Sequence, residues 1–409
     1  MDHFLSHHPD WTATQEIFKI LADKGHLCYL AGGCVRDFYL HRQPNDIDIV
    51  TDATPDQVQS YFSKTVAAGK SFGVIKVVLQ QSTVDVATFR QEDLYFDGRH
   101  PEAIVWSSPE QDALRRDFTI NALFYDMHSK KVIDYVGGLS DIQQKSLRAI
   151  GQPTKRFQED HLRLLRAVRF AAQLNFNIEE TTWNAILENK DLISTVSGER
   201  IHHELLQLLK SQFYLQGLKL FRESGLEEVL FAPTNPQKKV SRLQWLRGRS
   251  SNDHPEDEWL NWVYFFSDDA AYSTYLQRIR LSKKNQDLCK KALDFIFSLQ
   301  AFFTLPLGQQ LAQLMTQPYS EVLALLASAD ILLDEKWRDC QQKAQNLIQK
   351  KQLLQHPLPL LQFIHIAELP PGPLLKECLQ QAYWHQLQHN LNNLQDMLNW
   401  FKNWRKDRI

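Results

Sequence analysis

An apolar run that ends in two glycines and passes directly into a helical pattern is the strongest constraint on this chain. Residues 27–31 are mostly apolar, Gly32 and Gly33 follow, and residues 35–40 have the pattern of a helix. Two adjacent glycines let the backbone approach a phosphate closely because no Cβ intervenes. A helix start behind them offers N–H groups and the positive end of a dipole. The stretch predicts a strand, a turn and a helix that can hold a phosphate.

Two carboxylates follow in the next strand pattern. Residues 46–50 read Asp-Ile-Asp-Ile-Val, and on a strand the period of two places Asp46 and Asp48 on one face. Neighbouring carboxylates repel each other unless a cation lies between them, and Mg²⁺ is the usual cation where phosphate is also present. Glycine pairs and Asp-x-Asp are each common, but the two in this order and this close are far more specific.

Together these stretches resemble the signature of the polymerase-β-type nucleotidyltransferase superfamily. The form Gly-Gly-x-Val-Arg-Asp, at residues 32–37, is similar to the branch that holds the class II CCA-adding tRNA nucleotidyltransferases and the bacterial poly(A) polymerases. The resemblance implies that Asp46 and Asp48 are catalytic and bind Mg²⁺. It also implies a third catalytic carboxylate at Asp85, although a lone acid in an apolar strand is usually an edge or surface residue.

Two later blocks carry the nucleotide-binding predictions. Residues 115–123 read Arg-Arg-Asp-Phe-Thr-Ile-Asn-Ala-Leu, which resembles a family motif that contacts ribose and triphosphate, although two arginines before an acid at a helix start also suit a solvated face. Arginine offers a planar fork to phosphate, and a carboxylate accepts from a ribose hydroxyl. The resemblance implies nucleotide-binding roles for the following residues: Gly32, Gly33, Arg36, Arg116, Asp117, Asn121, Asp160, Arg163, Arg166 and Arg169.

Base selection is predicted from residues 156–170, which read as one long helix. Asp160 and Arg163 are three residues apart and share a helical face, so an ordinary surface salt bridge is the default interpretation. The resemblance implies instead a protein template that reads the base. Both C and A carry an exocyclic amine for the acid to bind, whereas U and G present a carbonyl oxygen that the acid repels.

Three further segments are interpreted through the same resemblance. Residues 91–112 are polar and aperiodic, which predicts either a disordered surface loop or the loop that helps such enzymes change from C to A addition. Residues 134–141 resemble a hinge-like motif. Residues 199–205 resemble a bracing motif, and His202 and His203 within it are predicted to be structural.

Whole-chain properties limit the compartment and the partners. The formal net charge is −2 over 409 residues, so any RNA-binding face must concentrate its basic residues locally. The five cysteines are scattered and form no Cys-x-x-Cys pair, so the sequence indicates neither a zinc site nor a disulfide framework. This pattern fits the reducing cytoplasm. The sequence has neither a signal-peptide pattern nor an apolar run of membrane-spanning length. It does not identify a protein partner.

The predicted fold class is α+β, with a small mixed-sheet nucleotidyltransferase head followed by an all-α remainder. The predicted domains are a catalytic head (1–148), a helical neck for base recognition (149–235), a helical body (236–350) and a helical tail that contacts tRNA (351–409). Basic residues between 238 and 249, with Lys283 and Lys284, suit either solvated faces or tRNA phosphates.

The predicted function is template-independent addition of CCA to the 3′ end of tRNA from CTP and ATP. Poly(A) polymerisation, CC addition alone and A addition alone share nearly all these motifs and stay open as alternatives. An inactive RNA-binding relative is the alternative from another class. It predicts damage to the carboxylates or to the Asp-x-x-Arg pair, and the sequence contains none.

Overall fold

The computed structural model describes residues 1–92, 104–231, 262, 272–316, 318–328, 335–354, 369 and 371–406. The chain divides into two compact units, Met1–Ala232 and Pro233–Ile409. The first unit contains nearly all of the predicted head and neck, and the division into four domains stays a prediction.

The first unit begins with short strands and helices and becomes mainly helical after residue 147. Its strands are β1 Cys28–Ala31, β2 Asp48–Thr51, β3 Thr65–Gly69, β4 Val74–Leu79, β5 Ser82–Thr88, β6 Arg90–Glu92, β7 Ile104–Trp106, β8 Leu123–Asp126, β9 Lys131–Asp134, β10 Ser146–Leu147 and β11 Asn177–Ile178. Its α-helices are α1 Asp2–Leu5, α2 Trp11–Asp23, α3 Gly33–Tyr39, α4 Pro55–Tyr61, α5 Pro109–Leu114, α6 Gly138–Gln144, α7 Pro153–Glu159, α8 Arg163–Leu174, α9 Glu180–Asn189, α10 Gly198–Leu209, α11 Tyr214–Glu223 and α12 Leu226–Leu230.

Within the described residues, one seven-stranded mixed sheet forms the centre of the head, in the order β3-β4-β5-β2-β1-β8-β9. β1 pairs antiparallel with β2, and β2 pairs parallel with β5. This register brings the Gly32–Gly33 turn, which follows β1, next to Asp48, the first residue of β2, so that both lie at the same end of these two central strands. The mixed sheet followed by helices confirms the predicted fold class.

Local sequence signals explain where the neighbouring helix α4 begins and which face of β5 is buried. Thr54 and Gln57 form a reciprocal capping box with Pro55 at the start of α4. Val84 and Val86 are 1% exposed, as strand alternation predicts, so the apolar face of β5 enters the core. Apolar period and capping chemistry therefore place the sheet and its helices.

The prediction of one long helix over residues 156–170 is wrong. α7 ends at Glu159, and Asp160 has an extended backbone with φ −140° and ψ 104°. The Asp160 carboxylate accepts a hydrogen bond from the backbone N–H of Leu162 at 3.1 Å, and α8 begins at Arg163. Aspartate favours such a break because its short side chain competes for nearby backbone donors.

Four smaller predictions also need correction. Asp46 precedes β2, so the two carboxylates do not alternate along one strand. The Arg115–Arg116 pair follows the end of α5 and does not begin a helix. The loop predicted over residues 91–112 has ordered ends, since β6 and β7 pair antiparallel and α5 follows; residues 93–103 lie outside the described residues. The predicted helical neck also holds the short strand β11, which pairs with β10.

The described part of the second unit is helical. Its helices are α13 Tyr272–Arg278, α14 Lys283–Phe302, α15 Leu307–Leu314, α16 Tyr319–Ser328, α17 Glu335–Gln352, α18 Pro373–His389 and α19 Leu394–Lys406. Cys378, Ala382, Met397, Phe401 and Trp404 form a buried cluster between α18 and α19. The basic residues between 238 and 249 lie outside the described residues.

No helix in the described ranges is long and apolar enough to cross a membrane. All five cysteines are buried thiols.

Candidate active site

A cavity of about 740 Å³ opens in the first unit, where these ends of β1 and β2 face α8 and α10. Every predicted site residue except Asp85 lines it: Gly32, Gly33, Arg36, Asp46, Asp48, Arg116, Asp117, Asn121, Asp160, Arg163, Arg166 and Arg169. The cavity wall therefore combines glycine backbone, carboxylates and many guanidinium groups.

Gly32 forms the turn between β1 and α3 and has φ +71°. A Cβ at this position would lie 3.2 Å from Nη1 of Arg116, which is tighter than an ordinary contact. The backbone conformation and the close approach of Arg116 both favour glycine. The turn is thus shaped so that backbone and guanidinium face the same space.

Asp46 and Asp48 line the cavity beside this turn, while Ile47 and Ile49 between and after them are buried. Burial, and after it the charges of Asp46 and Asp85, raise the pKa of Asp48 to about 6, although the charges of Arg116 and Lys76 act in the opposite direction. The positive side chains nearby therefore do not fully compensate the buried carboxylate. A divalent cation between the carboxylates would add the positive charge that is needed.

These two carboxylates suit a cation that also binds phosphate. Within the described ranges, no group of three or more His, Cys, Asp or Glu side chains is placed to hold a metal ion. Mg²⁺ is commonly bound through one or two carboxylates together with substrate phosphates and water. The residues present therefore fit a metal ion that is completed by a triphosphate.

Asp85 lies directly across from Lys76 in the β4–β5 pairing. Its oxygens accept from Lys76 Nζ at 2.7 and 3.0 Å. Asp85 and Asp48 each precede the first paired residues of the parallel strands, Val86 and Ile49. The third carboxylate is thus beside Asp48, and a lysine partner holds it.

Asp117 is the most strongly paired acid of the cavity. Oδ2 accepts from Arg166 Nη2 at 2.6 Å and Nε at 2.9 Å, and Oδ1 accepts from the Phe118 backbone and from Asn121 Nδ2. Burial alone would raise the pKa of Asp117, but the guanidinium of Arg166 and its hydrogen bonds outweigh it and lower the pKa to about 2. Asp117 therefore stays ionised and joins the head to α8.

Two other arginines of the cavity are oriented by neighbouring polar groups. Arg36 donates to Asn121 Oδ1 at 2.6 Å. Arg116 donates through Nη2 to the buried Asp112 at 3.0 Å and through Nη1 to the Asn121 carbonyl at 3.1 Å. Burial opposes ionisation of Asp112, yet the charges of Arg116 and Arg115 lower its pKa. These contacts hold the guanidinium groups in place before any ligand arrives.

Asp160 and Arg163 line the same cavity but do not share a helical face. Asp160 accepts from Arg200 on α10 at 2.8 and 3.0 Å. Arg163 donates to Glu159 at 2.6 Å and to the backbone carbonyls of Arg156 and Arg115. The i,i+3 salt bridge expected by default is replaced by two separate pairings, because the break at Asp160 rotates the two side chains apart.

Four acidic and basic neighbours contact the cavity residues in ways that the sequence did not predict: Asp112, Glu159, Arg200 and Glu204. Glu204 is 4% exposed, and it accepts from Arg169 Nε at 2.5 Å and lies 3.5 Å from Arg166 Nη1. Arg200 and Glu204 are four residues apart on α10, so their shared helical face was the available signal. His203 lines the cavity as well.

A family model described as the Poly A polymerase head domain matches residues 28–148. A second model, described as the probable RNA and SrmB-binding site of polymerase A, matches residues 175–237.

Several relatives and solved structures that resemble this chain are CCA-adding enzymes. The CCA-adding enzyme of Bacillus subtilis (strain 168) is 46% identical over 215 residues, which are 52% of this chain and 54% of that protein. The CCA-adding enzyme of Bacillus velezensis is 35% identical over 282 residues, 68% of this chain and 70% of that protein. The crystal structure of the Bacillus stearothermophilus CCA-adding enzyme in complex with CTP aligns with a TM-score of 0.76 and 26% identity, over 98% of both chains.

The sequence match with the first of these relatives spans about half of its length. The structural match extends over nearly the whole chain.

Proposed function

Because this chain belongs to the family of CCA-adding enzymes, we propose that it adds C and A nucleotides to the 3′ end of tRNA. CTP and ATP are the substrates, and no nucleic-acid template is used. The predicted family resemblance is confirmed.

One observation supports the proposal above the others. A single cavity joins the Gly32 turn and its arginines, the carboxylates Asp46 and Asp48, and the pair Asp160 and Arg163. Groups that suit a triphosphate, a divalent cation and a base edge therefore face one space. A nucleoside triphosphate uses all three.

Asp46 and Asp48 would hold the divalent metal ion that this family of nucleotidyltransferases generally uses, and we propose that it is Mg²⁺. When bound, Mg²⁺ stabilises the charge that develops on the triphosphate and helps to ionise the attacking 3′-hydroxyl. Asp48 must lose its proton to bind the metal ion, so its raised pKa makes binding sensitive to pH near 6.

The triphosphate binds along the arginine side of the cavity. Arg36 and Arg116 present guanidinium groups next to the Gly32 turn, where no Cβ blocks the phosphates. Asn121 connects them, since Arg36 donates to its side chain and Arg116 to its carbonyl. Asp117 acts with Asn121 in positioning the sugar and holds Arg166 at the cavity wall.

Base choice belongs to Asp160 and Arg163. Asp160 retains acceptor capacity beyond its bonds with Arg200, since an ionised carboxylate has about four lone-pair sites. An amine of C or A satisfies such a site, whereas the carbonyl oxygen of U or G is repelled.

Asp85 is proposed to orient the attacking 3′-hydroxyl or accept its proton. Its place beside Asp48 in the strand register supports this role. The ion pair with Lys76 keeps Asp85 oriented when the hydroxyl is absent.

The C-terminal tail is proposed to contact the tRNA. α19 presents Lys402, Arg405 and Lys406 around a second cavity of about 570 Å³, and such side chains bind phosphates. We propose that the protein acts in the cytoplasm, where tRNA, CTP and ATP are available.

The deciding experiment supplies one labelled nucleotide at a time to tRNA transcripts that end before C, after one C, or after CC, and to an unrelated RNA. Addition of two C residues and then one A to tRNA alone supports the proposal. Repeated A addition to any RNA indicates a poly(A) polymerase, and addition of only C or only A indicates a partial enzyme. Binding without incorporation indicates an inactive RNA-binding relative.

A further inference from the structure

The segment between α3 and β2 presents Asp46 to the cavity, and Arg42 lies at its start. α3 ends with the two hydrogen bonds of a Schellman motif. His41 N–H donates to the Phe38 carbonyl at 3.1 Å, and Arg42 N–H donates to the Asp37 carbonyl at 2.9 Å. His41 has φ +53°, as this motif requires. The backbone of Arg42 is therefore fixed by the end of α3.

The Arg42 side chain leaves this turn and reaches α8. Its Nη1 donates to the backbone carbonyl of Gln173 at 2.6 Å, although the side chain is largely exposed. Gln173 is in the last turn of α8, where carbonyls lack a helical partner. The backbone N–H of Asn177, four residues on, donates to the Lys145 carbonyl instead. Arg42 thus acts as a cap for α8 from a different part of the chain.

Gln173 connects this cap to the cavity. Its side-chain oxygen accepts from Arg169 Nη1 at 2.7 Å, and Arg169 in turn pairs with Glu204. Gln173 and Arg169 both line the cavity. The carbonyl contact of Gln173 is made by Arg42, and the side-chain contact is made by Arg169, so the two can be removed separately.

The segment that follows Arg42 is anchored by packing and is exposed at its functional residue. Pro44 is buried, and the ring of His8 lies 3.4 Å from the Asn45 carbonyl. Asp46 itself is exposed in the cavity. The 2.6 Å hydrogen bond from Arg42 connects this segment directly to α8.

We propose that Arg42 is a positioning residue for metal binding. By capping α8, it fixes the spacing between the segment with Asp46 and the helix that presents Arg163, Arg166 and Arg169. The inference rests on the proposed metal-binding role of Asp46. It assigns to an arginine outside the cavity wall the task of holding the two sides of the cavity in register.

The first measurement is backbone hydrogen exchange by mass spectrometry on the wild type and three variants, Arg42→Ala, Arg42→Lys and Gln173→Ala. We expect faster exchange of the hydrogen-bonded amides of residues 41–42 and 176–177 in Arg42→Ala, a smaller increase in Arg42→Lys, and none in Gln173→Ala. This measurement needs neither metal nor substrate. Wild-type exchange in Arg42→Ala would overturn the proposal.

The second measurement is Mn²⁺ binding, followed by the EPR signal of the unbound ion. Misplacing a metal-binding carboxylate typically lowers affinity by about tenfold or more, and we expect this for Arg42→Ala. Gln173→Ala and the exposed-lysine control Lys19→Ala should bind Mn²⁺ like the wild type. Equal weakening in Arg42→Ala and Gln173→Ala would indicate general loosening of α8 and contradict the proposal.

Arg42→Lys keeps the charge and the stem, so it decides the test if Arg42→Ala does not fold. A lysine variant with wild-type exchange and Mn²⁺ affinity would then contradict a positioning role. In active protein, kcat should fall in Arg42→Ala, while the preference for CTP over UTP stays unchanged. Wild-type protein that adds no nucleotide would contradict the proposed function, whereas hydrogen exchange would still decide the role of Arg42.

Discussion

Nη2 of Arg200 donates to both carboxylate oxygens of Asp160, at 2.8 and 3.0 Å. Arg200 is on α10, and Asp160 is in the break between α7 and α8. The pair is 23% and 21% exposed, so solvent screens it only in part. The carboxylate that is proposed to choose the base is thus held by a helix forty residues away.

Replacing this carboxylate should relax base choice. Asp160→Ala removes the acceptor for an incoming amine and the repulsion of a carbonyl oxygen. Since a bidentate base contact discriminates by about 1–3 kcal/mol, roughly ten- to a hundredfold of selectivity should be lost. Single-nucleotide incorporation on tRNA without its 3′ end tests all four nucleotides, with His161→Ala as the neighbouring control. A full preference for CTP and ATP in the variant would reduce Asp160 to a salt-bridge partner.

Removing either metal-binding carboxylate should stop chemistry and spare RNA binding. Asp46→Ala and Asp48→Ala each leave one carboxylate of the proposed metal-binding pair. We expect nucleotide addition to fall by at least about a thousandfold, because the metal supplies several kcal/mol of charge stabilisation. tRNA binding, measured by fluorescence anisotropy, should stay close to that of the wild type. Incorporation at the normal rate in either variant would contradict the metal assignment.

The raised pKa of Asp48 predicts a pH-dependent stability of the metal-free protein. Because the pKa is about 6 in the folded protein and 3.8 ordinarily, the folded state binds this proton more tightly. The contribution of Asp48 to stability is therefore favourable below about pH 4 and is lost as the pH rises through 6.

Asp48→Asn removes this titration. With EDTA present, the variant should be more stable than the wild type at pH 7.5 by about 2 kcal/mol, and the difference should disappear near pH 4. Urea unfolding at several pH values measures it, with the exposed Asp23→Asn as control. A difference that does not change with pH would show that Asp48 is not the titrating group.

Alanine substitutions at Gly32 and Gly151 distinguish the cost of backbone strain from the cost of crowding at the Gly32 turn. Gly32 and Gly151 have φ +71° and +69°, but only at Gly32 would a Cβ meet a neighbour, Nη1 of Arg116. Each alanine substitution should cost about 1–3 kcal/mol, because a positive φ is unfavourable for a residue with a Cβ. Gly32→Ala should also raise KM for CTP, because Arg116 must move. Similar KM values for CTP in both variants would contradict a role of the Gly32 turn in nucleotide binding.

The partly buried pair of Asp117 and Arg166 should matter for folding. Asp117→Asn removes the charge nearest to Arg166 and leaves Glu204, at 3.5 Å, as the closest acid among its described contacts, so we expect a loss of about 2 kcal/mol, less than for a fully buried pair. Urea unfolding measures this loss against the exposed Asp191→Asn. Replacing Arg166 by Met in the same protein should recover part of it. A loss equal to that of the control would mean that the pair is not a structural link.

The sequence by itself determined the elements that local rules control. Apolar alternation buries Val84 and Val86, and Thr54 with Pro55 begins α4, because period and capping depend on residues only a few positions apart. The Gly-Gly turn and the two aspartates could be assigned to one site for the same reason. The glycines precede one short predicted helix and the aspartates follow it. Glycine backbone suits a phosphate, and paired carboxylates suit a cation.

Tertiary structure decided which partner each charged group has. The i,i+3 spacing paired Asp160 with Arg163 in the sequence, yet Asp160 binds Arg200 on α10, forty residues away. Lys76 holds Asp85 because a hairpin brings them face to face, and Glu204 meets Arg169 because α10 packs against α8. A charged side chain binds an opposite charge that the folded chain brings within about 3 Å. Sequence spacing within one segment does not show which residues from other segments come that close.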